Sequence, residues 1–162
     1  MKIPFTLNGE DVVLDAEPDE KLINILRDSR NFSVKCGCNT GSCGSCTVLL
    51  DDKPVPSCLV SAAAVRECQV VTLDAFKKTD YWKDIETGFR QNGVKLCGYC
   101  DAGKVFAVYN LIRAEIRPPK EEIISIMKQF PCKCCDTELL ALSVNTAAIA
   151  HKKRQAGRNH GK

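Results

Sequence analysis

The chain has 162 residues, 44% hydrophobic and 27% charged, enough to bury one ordinary core or two small ones. No run approaches the roughly 18 apolar residues of a membrane span, and the start, MKIPFTLNGEDV, lacks the basic-then-apolar pattern of a secretory leader, so a soluble, cytoplasmic protein is expected. The net charge of +3 is unevenly placed: five of the 23 basic residues and none of the 20 acidic ones fall in 151–162, leaving −2 over residues 1–150. That ending reads as a solvated, poorly ordered basic tail rather than a nucleic-acid contact.

The first third alternates strands with one helix. KIPFTL, the turn NGED and VVLDA predict a hairpin, because Asn-Gly readily supplies the positive φ angles of a tight turn. Pro18 and Asp19 open a short helix with Leu22, Ile23, Ile25 and Leu26 on its apolar face, ending near Ser29. A loop rich in cysteine and glycine follows, then CTVLL and VPSCLV as strands flanking DDKP, and QVVTL as the last strand. Strands around one helix predict a small α+β domain over residues 1–76.

Beyond Thr72 the period becomes helical. Asp80 is the predicted cap of YWKDIETGFRQNG, with Gly93 as its stop; DAGKVFAVYNLIRAEI places Val105, Val108, Tyr109 and Ile112 on one face before RPP breaks it. KEEIISIMKQF is a third helix and DTELLALSVNTAAIAHKKR a fourth, with Asp136 as N-cap and basic residues at the C-terminal end. Four short helices predict a compact bundle over 77–150, followed by the tail 151–162.

Eleven cysteines in a chain without a secretory pattern point to metal binding rather than to disulfides. By spacing they form two sets. Cys38, Cys43, Cys46 and Cys58 give C-x4-C-x2-C and, after eleven intervening residues, a fourth cysteine, and the first three have the plant-type [2Fe–2S] spacing. Cys97, Cys100, Cys132 and Cys134 give C-x2-C and, after 31 intervening residues, C-x-C. A [2Fe–2S] cluster draws backbone N–H groups toward its sulfurs, so Gly37, Gly41 and Gly44 fit a loop that must curl closely around it. Tetrahedral zinc is the alternative, disfavoured by the x4-x2 spacing in the first set but open in the second.

The two sets together, with CGSC, CGYC and a C-x-C leading a helix, resemble the iron–sulfur subunit of the molybdenum hydroxylases, the xanthine dehydrogenase and aldehyde oxidoreductase family. The resemblance runs through nearly all of residues 2–150. It implies a β-grasp ferredoxin-like domain followed by a four-helix-bundle domain, each with one [2Fe–2S] cluster. It also implies an electron-transfer role between a molybdopterin-binding large subunit and an FAD-binding medium subunit, those cofactors residing on the partners. No catalytic residue, nucleic acid or membrane is expected for the chain itself.

Part of the family pattern is replaced. Leu96 stands where the family usually has a glutamine that reaches the pterin, CDAG (100–103) replaces CTPG, and Cys135 and Asp136 replace Thr-Gly after the second C-x-C cysteine. Leu96 is therefore the candidate pterin-facing position. Of the remaining cysteines, Cys36 is an alternative to Cys38, Cys135 competes with Cys134, and Cys68 reads as a buried small hydrophobe. His151 and His160 read as tail residues, and Tyr99 as packing beside a cluster. A regulatory or redox-sensing two-site metalloprotein on the same scaffold, no longer docked to a molybdopterin, is the alternative function.

Overall fold

The computed structural model describes residues 1–114 and 117–159. Asn8 and Gly9, with φ of 55° and 90°, close a two-residue turn between β1 (Lys2–Leu7) and β2 (Glu10–Asp15). The turn is shorter than the predicted NGED because Glu10 and Asp11 already pair with Leu7 and Thr6. Asp51 and Asp52, also with positive φ, make the corresponding turn between β3 (Thr47–Leu50) and β4 (Lys53–Pro56). Strand β4 stops short of the predicted VPSCLV because the Ser57 hydroxyl and N–H both donate to the Cys46 carbonyl, at 2.7 and 3.2 Å, and turn the chain inward. Strand β5 (Gln69–Val71) lies parallel to β1 and antiparallel to β3, giving the order β2-β1-β5-β3-β4. Helix α1 (Leu22–Asp28) contributes Leu22, Ile23, Ile25 and Leu26 to a buried cluster with Ile3, Phe5, Val34, Val48 and Val70.

A second buried cluster is helical. A single turn, α2 (Leu73–Phe76), leads into α3 (Asp80–Gln91), α4 (Asp101–Ala114), α5 (Lys120–Lys128) and α6 (Thr137–Asn159). Phe76, Ile85, Val105, Phe106, Ile123, Leu140 and Val144 fill its centre, and Phe76 meets Phe106 and Tyr109 edge to face. Asp136 caps α6 as predicted, its Oδ1 accepting the N–H groups of Glu138 and Leu139 at 2.8 and 3.0 Å. The cap of α3 is Thr79 and not Asp80: the Thr79 hydroxyl accepts the Trp82 N–H at 3.3 Å, leaving Asp80 in the first turn.

The basic ending departs most from expectation. Helix α6 continues through Asn159 and lies along α3, so residues 151–159 are not a loose tail. Asp84 on α3 is fully buried and receives Arg154 at 2.8 Å and His151 at 3.0 Å, while Arg158 bonds Asp80. Those carboxylates lie some seventy residues away in sequence, which is why the charge run read as solvated. His160 and the last two residues, like 115–116 at the end of the predicted DAGKVFAVYNLIRAEI helix, lie outside the described residues. Among the described residues no helix is long and apolar enough to cross a membrane.

Candidate metal centres

The N-terminal cysteines sit on the loop between α1 and β3, with the fourth delivered by the turn after β4. Thr40 and Cys43 donate their N–H groups to the Cys38 sulfur at 3.4 and 3.3 Å. The Ser42 and Thr40 hydroxyls, with these N–H groups, bring the Cys38 pKa down to about 5. Cys46 and Cys58 are buried and lie against one another; burial first, then the Cys46 thiol, pushes Cys58 up to about 11.

The three glycines of this loop serve different needs. Gly41 and Gly44 have φ of 78° and 77°, the left-handed conformation that Cβ-bearing residues avoid. Gly37 has no positive φ, and its need is space: a Cβ there would stand 2.6 Å from the Cys43 sulfur. Ser45 Oγ lines the same space, 3.5 Å from that point, and is buried without a hydrogen-bond partner. An orphaned hydroxyl lining the same space as the Cys43 thiol fits a site built to receive an anionic, sulfur-rich group.

In the helical region the Cys97, Cys100, Cys132 and Cys134 sulfurs all lie within 4.8 Å of one another. Cys97 and Cys100 come from the loop entering α4, Cys132 and Cys134 from the loop between α5 and α6. The closest approaches are 3.4 Å for Cys100–Cys134, 3.6 Å for Cys97–Cys100 and 3.7 Å for Cys97–Cys132. The N–H groups of Cys100 and Tyr99 bring Cys97 down to about 6, whereas burial pushes the Cys100 thiol well above its ordinary value. Cys135 is not in this group; burial raises its pKa, and its sulfur faces Lys104 at 3.7 Å.

Lys104, in the first turn of α4, is a residue the sequence did not single out. It is 2% exposed, and its Nζ donates to the Cys132 carbonyl at 3.0 Å and the Cys134 sulfur at 3.5 Å. Burial works against its charge, but the surrounding thiols outweigh burial and hold its pKa above the ordinary lysine value. Nothing in the local sequence signals this, because a lysine near a helix start usually lies in solvent.

The two cysteine loops touch. Gly44 and Gly103 meet backbone to backbone under Phe130: a Cβ on Gly103 would stand 2.8 Å from the Gly44 Cα and 2.6 Å from Phe130 Cε1. The Tyr99 hydroxyl donates to the Cys36 carbonyl at 2.8 Å, and Lys35 Nζ bonds the Gly98 carbonyl. Tyr99 thus ties one cysteine loop to the other rather than merely packing beside its own. Cys36 itself is exposed and turned toward Asn39, and Cys68 is half-buried with its thiol near the Ala64 and Arg66 carbonyls, so it is no simple core hydrophobe. Leu96 packs, half-buried, against the helical core.

The four gathered thiols of the helical site, with N–H groups aimed at Cys97, suit a [2Fe–2S] cluster, and the N–H groups and hydroxyls aimed at Cys38 suit one at the N-terminal site. The spacing of the helical sulfurs would also suit one tetrahedral metal, so sulfur geometry alone does not identify that centre. Comparison with known proteins does. Residues 5–73 match the 2Fe-2S iron-sulfur cluster binding domain, and residues 72–144 the [2Fe-2S] binding domain. The chain is 32% identical over 133 residues to the nicotinate dehydrogenase small FeS subunit of Eubacterium barkeri, covering 82% of this chain and 85% of that one. Over 158 residues it is 30% identical to the xanthine dehydrogenase iron-sulfur-binding subunit of Escherichia coli O157:H7, covering 94% and 95%. Among solved structures, quinoline 2-oxidoreductase from Pseudomonas putida 86 superposes with a TM-score of 0.83 at 29% identity, covering 96% of each chain. With both cysteine regions matched and the fold shared end to end, the chain belongs to the family of [2Fe–2S] iron–sulfur subunits of the molybdenum hydroxylases.

Proposed function

We propose that the chain is the electron-transfer subunit of a molybdenum hydroxylase complex and carries two [2Fe–2S] clusters. Cys38, Cys43, Cys46 and Cys58 hold one in a β-grasp ferredoxin-like domain over residues 1–76; Cys97, Cys100, Cys132 and Cys134 hold the other in a four-helix-bundle domain over 77–150. A bound [2Fe–2S] cluster takes up and releases one electron at a time. The chain's own groups fix the thiols, offer N–H donors to the sulfur they carry and keep the two loops in contact. Electrons pass from a molybdopterin-binding large subunit toward an FAD-binding medium subunit, in the cytoplasm, where a reducing environment keeps eleven cysteines as thiols.

The observation that carries this reading is the direct junction between the two cysteine loops, with Gly44 against Gly103 and Tyr99 bonded to the Cys36 carbonyl. Two redox centres held on touching loops form a relay, whereas two independent structural metal sites have no need to touch. Anaerobic co-purification of the native complex, followed by metal and cofactor analysis, tests it. About four iron and four labile sulfide per chain are expected, with molybdenum and flavin in the partners. About two iron with zinc making up the balance, or a complex without molybdenum, overturns it.

A further inference from the structure

The buried lysine of the helical site has a use that four thiolate ligands do not by themselves require. Lys104 is 2% exposed, and its three polar contacts are the Cys132 carbonyl at 3.0 Å and the Cys134 and Cys135 sulfurs at 3.5 and 3.7 Å. Among the described residues no carboxylate forms an ion pair with it. A buried ammonium without a counter-ion is strongly unfavourable. Its compensating charge must therefore come from what the cysteines hold. At the N-terminal site the groups that reach the Cys38 sulfur are N–H groups and hydroxyls, which carry no net charge.

We propose that Lys104 is a fixed counter-charge to the helical centre, holding the Cys132 carbonyl in place and raising the reduction potential of that centre relative to the same site without the charge. The inference rests on the reading of that site as a [2Fe–2S] centre. Its reduction takes one electron from the reductant and no proton, so the added negative charge lies beside a positive one already in place. Net charge and hydrogen bonds to the sulfurs are among the factors that set such potentials. Lys104 is thus a positioning and tuning residue; it does not ligate metal. Cys135, the other sulfur facing it, adds a polarisable neighbour to the same ammonium.

The test is an EPR-monitored redox titration of the full-length, cluster-loaded chain, unmodified and as Lys104→Met, after iron and sulfide analysis of each. Lys104→Met is expected to keep both signals and move the helical one, identified as the signal that Cys97→Ala removes, to lower potential, leaving the other unmoved. Lys104→Gln, which keeps a donor for the Cys132 carbonyl without the charge, carries the same expectation if the methionine variant loses iron. Lys104→Arg keeps the charge and should stay nearer the unmodified value than either. Two full signals with no shift in the neutral variants overturn the proposal alone. Loss of the helical centre from both neutral variants reduces Lys104 to a structural prop and overturns the tuning. Unmodified protein with a redox-silent metal in the helical site overturns the cluster reading and this proposal with it.

Discussion

At the N-terminal site three of the four cysteines lie within nine residues, and the groups reaching the Cys38 sulfur come from the same short loop. At the helical site the cysteines come in two pairs with 31 residues between them, and the group that reaches across is the buried cation of Lys104. The first site is organised by local backbone, with left-handed turns at Gly41 and Gly44 and room at Gly37; the second is organised by packing, because only the docking of α5 and α6 on α4 brings its halves together. Two sites of the same chemistry therefore have different vulnerabilities. Damage to helix packing should reach the helical centre first, and damage to the loop backbone the N-terminal one.

The largest effect that would break this comparison is loss of a ligand. Cys43→Ala is expected to remove about two iron and one reduced EPR signal, and Cys97→Ala the opposite signal, since each four-thiolate set is complete without the other. Loss of both signals from either change in folded protein would show that the sets are shared.

Next comes the support of the helical site. Asp84→Ala leaves Arg154 and His151 without their buried partner. The expected cost is about 2 kcal/mol, below the roughly 3–5 of a fully buried pair, because Arg154 keeps a third of its side chain exposed. Thermal unfolding of the loaded protein should show a lower midpoint, with the helical EPR signal bleaching before the N-terminal one. Simultaneous bleaching would mean that the two regions unfold as one.

A smaller change probes the junction itself. The Cβ of Gly103→Ala would meet the Gly44 Cα and Phe130 well inside contact distance, and such overpacking costs about 1–2 kcal/mol. Gly157→Ala, in α6 with open space around its Cβ, serves as the control and should be neutral or slightly stabilising. If Gly103→Ala unfolds no more easily than the control, the two loops are not held together by this contact.

What was legible in the sequence follows the same division. The Asn8-Gly9 turn, the apolar face of α1 and the Asp136 cap are local patterns, and the structure places each where the pattern puts it; the helical cysteines, by contrast, gather within 4.8 Å of one another only through helix packing. Residues whose role depends on a distant partner leave no such local signal. Arg154 and His151 read as solvated because Asp84 is remote, Lys104 carries no local signal because its acceptors follow it by about thirty residues, and Cys68 reads as core although its thiol faces backbone carbonyls. Aspartate and threonine are both good caps, and the choice between the neighbours Thr79 and Asp80 depends on which side chain reaches the Trp82 N–H.

The finest test sets a dipole against a charge. Ser45 Oγ is buried and unbonded, and with the Cys43 sulfur it lines the space over Gly37; a buried hydroxyl without a partner costs about 1–3 kcal/mol. Without the cluster, Ser45→Ala should therefore be neutral or stabilising in denaturant unfolding. With the cluster bound, the hydroxyl has a sulfur acceptor to donate to, and the same substitution should remove a hydrogen bond of about 0.5–1.5 kcal/mol net. A donor to sulfur favours the more negative state, so the N-terminal signal should move to lower potential in Ser45→Ala while the helical signal stays in place. Because a hydroxyl carries no net charge, the shift should be smaller than the one Lys104→Met produces at the other site. A larger shift at the N-terminal site than at the helical one would invert the contrast between a site tuned by local dipoles and one tuned by a buried cation. No shift at all would leave Ser45 an orphan in the loaded protein as well, and would mean that its hydroxyl is not aimed at the cluster.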